Sequence, residues 1–522
     1  MKSLPKFVQT IILLGLTAVM LLGITMVTER MNAIREAEGL TDAAIPENAP
    51  PVVAFTTVAL GSFRGLVADY LWLRSAQAKE QGNYFEMVQL ASWIVKLQPR
   101  FTGATAYLAW NMAYNVSVTF NDFEDRWRWV QRGIELIRDE ALFYHPGDPT
   151  LYKELGWLYQ HKLGQEMDDA NRYYKFQLAT QIMEVVGEWP PDWERLAETP
   201  RDKAALYETL SADQKESLKN ILAEKQLTLA ELESKFRQSA GMPEEIAEAI
   251  RDAGLLEDLQ YYFRQRWLRQ AYKLKAELIF ELNQEYGALD WRLPEAHAIY
   301  WATRGLRASE EKVDMACERM IFQSLANAFR GGRLIYVEGS DAIEITPNTD
   351  IVDAVNEAYL KTLERHKNQT GAQAGYENFL IDATVTLYTF GKTRKAREYL
   401  GKLRDKYDNM RYRLPLNRFV LREIAGDIRA ATYDQGQALV QGYLYQMYRA
   451  LAFGDMERGE SFESLARAIW ERYMAEAPES GRRALPPYDQ MKNNMYEQCQ
   501  ERFPPALRDR LKQVARTYTG AE

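Results

Sequence analysis

Between Asp148 and Ala179 the chain carries a pattern that few folds accommodate. Tyr152, Leu155, Gly156 and Tyr159 recur at spacings of three and four, so they share one face of a helix, and Gly164 ends that helix at a turn. Ala170, Tyr173 and Tyr174 then mark the inner face of a second helix, where a small residue lets the pair approach closely. Two antiparallel helices are expected here.

The unit recurs imperfectly. Residues 68–99 place Leu71, Arg74 and Ser75 on a first helix, Gly82 and Tyr84 at a turn, Met87, Ala91 and Ile94 on a second helix, and Pro99 at the end. Residues 104–140 carry Tyr107, Trp110, Asn111 and Tyr114, then a longer connection to a helix with Trp127 and Ile134. The pattern returns at 377–407, with Leu380, Ala383, Thr384 and Leu387 before Gly391 and Ala396, Leu400 and Leu403 after it. An irregular pair spans 443–473 around Gly454, and residues 290–329 read as another pair opened by Pro294.

These offsets of a large residue, Leu-Gly, Tyr and Ala resemble the tetratricopeptide repeat, whose period is about 34 residues. The resemblance implies an all-α solenoid of tetratricopeptide-like helical hairpins. It also implies a groove, lined by first helices, that binds protein partners or extended peptides. Carried onto this chain, the groove positions are Lys153, Trp157, Gln160 and His161, with Asn115 from the preceding unit.

Three stretches depart from the repeat. After Val186, Trp189-Pro190-Pro191-Asp192-Trp193 stops the helix, and a charged insertion runs over 187–254. Ser211 with Gln214 and Thr228 with Glu231 have capping-box spacing, and Pro243 suits a helix start, so three short helices are expected there. Leu255 to Tyr286 reads as one long helix. Its mixture of aromatic and basic residues could hold an anionic polymer, but ordinary amphipathicity accounts for it more simply. Between Arg333 and Thr346, RLIYV and AIEIT flank a turn-forming Glu338-Gly339-Ser340-Asp341, which predicts a β-hairpin.

The amino terminus bears on location. Val8 to Val27 is mostly apolar and uncharged, and at about 1.5 Å per residue it is long enough to cross a hydrocarbon core of roughly 30 Å. Lys2 and Lys6 precede it and mixed charges follow, which places the amino terminus in the cytoplasm and the remainder outside. A cleaved signal peptide is the competing reading, but the run exceeds a usual apolar core and no small-x-small site follows Val27. The expected organisation is an anchor (1–28), a stalk (29–51), a first helical array (52–186), the insertion (187–254), a second array (255–480) and a tail with a capping helix (481–522). Val52 to Leu60, too short to span, reads as a buried opening helix.

A net charge of -8 argues against a general nucleic-acid binder, and 47% apolar residues argue against disorder. Cys317 and Cys499 form no paired motif, and none of His145, His161, His297 and His366 has another His at i+3 or i+4. No phosphate loop or hydrolase motif is present, so neither metal, cofactor nor catalysis is expected. Asp168-Asp169 and Glu244-Glu245 read as solvated helix starts favoured by the helix dipole. Asn115-Val-Ser117 and Asn368-Gln-Thr370 match glycosylation acceptors, a pattern common by chance. The chain is expected to be a scaffold on a bacterial cytoplasmic membrane, serving envelope assembly, secretion or surface-polymer export. A glycan-processing enzyme with groove carboxylates and a self-assembling structural component are the alternatives.

Overall fold

The computed structural model describes scattered residues between 15 and 34, which are helical, and then 63–98, 101–308, 315–336, 343–365, 370–426, 433–476 and 484–519. Most of the 8–27 run and of the 29–51 stalk, all of 52–62, His366 and the hairpin turn at 337–342 lie outside these residues. No helix of the described residues is long and apolar enough to cross a membrane. Helices form nearly all the regular structure, and the chain is all-α with one two-stranded sheet among the described residues.

Two compact units are distinguished: residues 1–100 with 143–145, and 101–142 with 146–522. In the first, α1 (Phe63–Glu80) and α2 (Tyr84–Leu97) form a hairpin reversed at Gly82, whose φ of +71° suits a residue without Cβ. Met87, Leu90, Ala91, Ile94 and Val95 give α2 a buried stripe at helical spacing. Arg74, at a position where the repeat usually has Leu, pairs with Glu86 at 2.6 Å across the hairpin.

In the second unit, α3 (Thr102–Trp110), α4 (Phe123–Glu135) and α5 (Pro149–Trp157) each continue into a π-helical turn, at Asn111–Val116, Leu136–Ala141 and Leu158–Leu163. Asp148 caps α5 by accepting from the Thr150 amide at 2.7 Å, with Pro149 at the first helical position. The next helix, α6 (Asn171–Val186), packs against the Leu158–Leu163 turn.

Five short helices fill the insertion: α7 (Trp193–Glu198), α8 (Lys203–Thr209), α9 (Ala212–Glu224), α10 (Leu229–Ser239) and α11 (Glu244–Asp252). Both capping boxes form, and Pro243 is the residue before α11. Leu218, Leu232, Phe236 and Ile250 make a core that takes in Leu259 and Phe263 from the helix that follows. The insertion is therefore packed onto its carboxyl-side neighbour.

The single helix expected over 255–286 is two, α12 (Leu256–Ala271) and α13 (Ala276–Tyr286). Lys273 adopts a left-handed conformation (φ +55°), and the Leu274 amide reaches back to the Leu268 carbonyl at 3.1 Å. The Tyr300 hydroxyl donates to the Lys273 carbonyl (3.1 Å) and accepts from the Lys275 amide (2.8 Å). It thus satisfies backbone groups that a continuous helix would have paired internally.

Tyr300 belongs to α14 (Pro294–Ala308), the helix on which this unit is built. From Pro294 to Thr303 it is buried at every position, which marks a helix enclosed on all sides. It packs along α5 and along α15 (Met315–Gly331). Gly156 lies where these helices meet, and a Cβ there would collide with Met320 Sδ. Gly156 therefore makes room for α14 and α15, at Ala298 and Met320, and not for a neighbour within its own hairpin.

The expected hairpin forms as β1 (Arg333–Tyr336) antiparallel to β2 (Ile343–Thr346), with Leu334 opposite Ile345. The buried Asp290 accepts from the Leu334 amide at 2.8 Å, and Arg292 donates to the Leu334 carbonyl. On β2 the buried Glu344 accepts from Arg458 and is ion-paired with Arg449.

The rest is helical: α16 (Val352–Arg365), the hairpin of α17 (Thr370–Thr389) and α18 (Thr393–Lys406), α19 (Leu416–Ala425), the hairpin of α20 (Tyr433–Ala452) and α21 (Met456–Glu476), α22 (Tyr488–Arg502) and α23 (Pro505–Thr519). The helix expected in the tail forms as α23. In front of it, α22 buries Tyr488, Met491, Met495 and Cys499 in the core that α20 and α21 supply.

Candidate functional site

Three residues of α3 and its π-helical turn, Tyr107, Trp110 and Tyr114, are spaced three and four apart and so share a face. Their rings stack in sequence, Tyr107 on Trp110 at 6.4 Å between centroids and Trp110 on Tyr114 at 5.3 Å, with interplanar angles of 26° and 25°. The series crosses to the neighbouring hairpin, where Tyr114 meets His161 at 5.7 Å and His161 stacks on Trp157 at 4.5 Å. Five rings form one strip. Its Tyr107 end is open to solvent, with Tyr107 48% and Trp110 40% exposed.

A hydrogen bond of 2.9 Å between the Tyr114 hydroxyl and His161 Nδ1 joins the two hairpins across the strip. Burial, followed by the neighbouring Lys162 ammonium, presses the His161 imidazole below its ordinary value. The neutral ring then has an acceptor nitrogen to receive the tyrosine proton. Burial and the Glu154 charge push the Tyr114 hydroxyl well above the usual tyrosine range, so it stays protonated and donates.

Beneath the strip lies a buried polar support. Lys162 sits 5.4 Å from the centroid of the Tyr114 ring and 5.6 Å from that of Tyr174, while its ammonium donates to Asp168 at 2.6 Å. Asp168 also accepts from Arg126, from the Tyr174 hydroxyl and from the Ala170 amide. Burial alone would raise its carboxyl, but the Lys162 and Ala170 bonds outweigh that and hold it well below the usual carboxylate range. Asp168 is thus no solvated helix start. Its side chain is 5% exposed whereas that of Asp169 is 70% exposed, and only the outer one of the pair reads as the sequence suggests.

The five residues picked from the repeat pattern are distributed unequally. Trp157 and His161 are in the strip. Asn115 is next to Tyr114 and donates to the Asn111 side chain at 2.6 Å, and Lys153 pairs with the adjacent Glu154 at 2.5 Å. Gln160 is elsewhere: it is buried, and its amide donates to the Met320 carbonyl (3.2 Å) and the Ser324 hydroxyl (2.8 Å) of α15. Neighbouring residues of a helix point about 100° apart, so Gln160 faces α15 while His161 stays on the strip, and the π-helical turn that carries both closes with the Gly164 amide on the Tyr159 carbonyl (2.9 Å).

Residues 107, 110 and 114 read in the sequence as the packed face of a repeat. Their size gave no signal of exposure, since large rings at helical spacing are ordinarily core residues, and of the three only Tyr107 and Trp110 are exposed. No protein-family model, curated protein or solved structure matches the chain.

Proposed function

We propose that this chain is a membrane-anchored scaffold that gathers protein partners, with the 8–27 run as its anchor and its helical hairpins, arranged as a tetratricopeptide-like solenoid, on the outer side. The observation that carries the reading is the aromatic strip. Stacked rings fixed by a buried ion pair give a rigid apolar surface with polar edges at Asn115, Lys153 and Glu154. Rigid aromatic side chains bind with little loss of conformational freedom, and aromatic-lined grooves receive extended, proline-rich segments by stacking. An unstructured stretch of a partner protein is the ligand that such a surface suits.

The test is site-specific photo-crosslinking in intact cells of the native host. Crosslinkers placed at Tyr107 and Trp110 are expected to capture the same small set of proteins, and one placed at the exposed Lys219 of the insertion is not. Tyr107→Ala with Trp110→Ala should abolish the capture made from a third crosslinker at Asn115 while the chain keeps its helical circular dichroism. Capture that is identical from all positions, or that survives the double substitution, rejects the strip as the partner site. Crosslinks solely between copies of the chain would favour a self-assembling component instead.

A further inference from the structure

A second feature of the same unit lies where α12 breaks and α13 begins. A cavity of about 470 Å³ is lined there by Arg201, Arg269, Lys275, Arg304 and Arg307, five cations against the two carboxylates of Glu277 and Glu281. The chain as a whole carries a net charge of -8, so such a concentration of positive charge runs against the composition. It is also unevenly neutralised. Glu277 is held by Arg201 at 2.7 Å and by Arg269 at 2.7 Å, and Glu281 by Arg307. Among the described residues no carboxylate pairs with Lys275 or Arg304.

Arg304 is fixed without an anion. Its guanidinium lies 4.9 Å from the centroid of the Tyr152 ring and 5.3 Å from that of Trp301, and it donates to the Tyr152 hydroxyl at 3.1 Å. Lys275 is fixed by its backbone, through the Tyr300 hydroxyl. Partial burial, followed by the charges of Arg304 and Arg269, presses the Lys275 ammonium below its ordinary value, against the opposing charge of Glu277. Lys275 also precedes the first turn of α13, which has no side-chain cap and adds a partial positive charge to the same wall.

We infer that this cavity is a binding site for a compact dianion of the phosphate type, either inorganic phosphate or the phosphomonoester of a small molecule. Two cations without a carboxylate partner line the same cavity, and a dianion with tetrahedrally arranged oxygens offers charge to both. The planar guanidinium of Arg304 suits two oxygens in parallel and the ammonium of Lys275 acts as a point charge. The volume lies within the range of small-molecule sites, about 300 to 1,000 Å³, so it accepts a phosphate with an organic group attached. Tyr152 links this cavity to α5, and the site is separate from the aromatic strip in every residue that it uses.

The test is binding by the purified full chain in a phosphate-free buffer, measured by isothermal titration and by melting temperature. The probes are inorganic phosphate and glycerol 3-phosphate, with sodium chloride at matched ionic strength as the control. Saturable binding is expected, together with a rise in melting temperature that chloride does not reproduce. Lys275→Gln should weaken binding tenfold or more without changing the melting temperature of the unliganded chain, and Lys275→Arg should restore most of it. Arg304→Lys keeps the charge but loses the fork, and should weaken binding to a smaller degree. Should the Arg304 variant not fold, the exposed Lys275 position decides the matter. Tighter binding of glycerol 3-phosphate than of phosphate identifies a phosphomonoester as the ligand, and the reverse identifies the free ion. Absence of saturable binding of both probes, or equal binding by wild type and Lys275→Gln, overturns the inference.

Discussion

Asp168 shows how much one buried carboxylate can organise. It receives Lys162, Arg126, Tyr174 and the Ala170 amide, and through Lys162 it supports the rings of Tyr114 and Tyr174. Removing its charge leaves Lys162 buried without a partner, so Asp168→Asn should lower stability at pH 7 by about 3 to 5 kcal/mol, read from urea unfolding. The pH dependence has a definite sign. A carboxyl held below its unfolded value contributes fully above about pH 4, and the contribution declines as the pH falls towards the folded value. The gap between wild type and Asp168→Asn should therefore narrow from pH 7 to pH 3, and a constant gap would mean that the ion pair is not its source. His161 is likewise held below its ordinary value by burial. Its neutral form is fully favoured above about pH 6.5, and the stability it lends falls as the pH drops through the folded value. Carbon-13 spectra of labelled histidine, assigned with His161→Gln, should give a midpoint below that of free histidine. Gly156 is a matter of space instead: any side chain meets Met320 Sδ, and Gly156→Val should cost about 1 to 3 kcal/mol by overpacking, with Met320→Ala relieving part of it.

At the scale of the elements, interruptions in regular helices position the functional groups. The π-helical turn at Leu158–Leu163 carries both Gln160, which bonds to α15, and His161, which stays on the strip. The break between α12 and α13 depends on the Tyr300 hydroxyl, which comes from a helix that begins some 20 residues later. Tyr300→Phe keeps the ring but leaves the Lys273 carbonyl and Lys275 amide without this partner. It should cost about 1 to 3 kcal/mol and raise hydrogen exchange at Leu274 and Lys275, with little change at the capped start of α9. The β-hairpin is tied down by charge. Glu344 pairs with Arg449 of α20 and Arg458 of α21, and its loss would leave two guanidiniums facing a buried carboxylate position.

At the scale of the molecule, the proposed membrane attachment rests on residues 8–27, so a chain beginning at residue 29 should remain in the supernatant after cell lysis while the full chain sediments with membranes and resists alkaline extraction. Recovery of both in one fraction would place attachment elsewhere. Much of the helical framework was legible from residue spacing, because Gly82, Gly391 and Gly454 mark reversals at positive φ and the stripes between them follow the helical period. Capping boxes at Ser211 and Thr228 were legible for the same reason: the groups that satisfy a helix start lie within three residues of each other. The hairpin at 333–346 also declared itself through β-branched residues on either side of a turn. What the sequence by itself determined is therefore local, namely which segments are helix or strand and where they turn. The tertiary structure alone decided that Asp168 is inside and Asp169 outside, that Gln160 faces α15, that the helix expected over 255–286 is broken, and that five cations from separate stretches share one cavity. Each of those outcomes depends on a partner distant in the chain, and the spacing of residues along one segment carries no information about which distant group will satisfy its polar atoms or fill the space beside it.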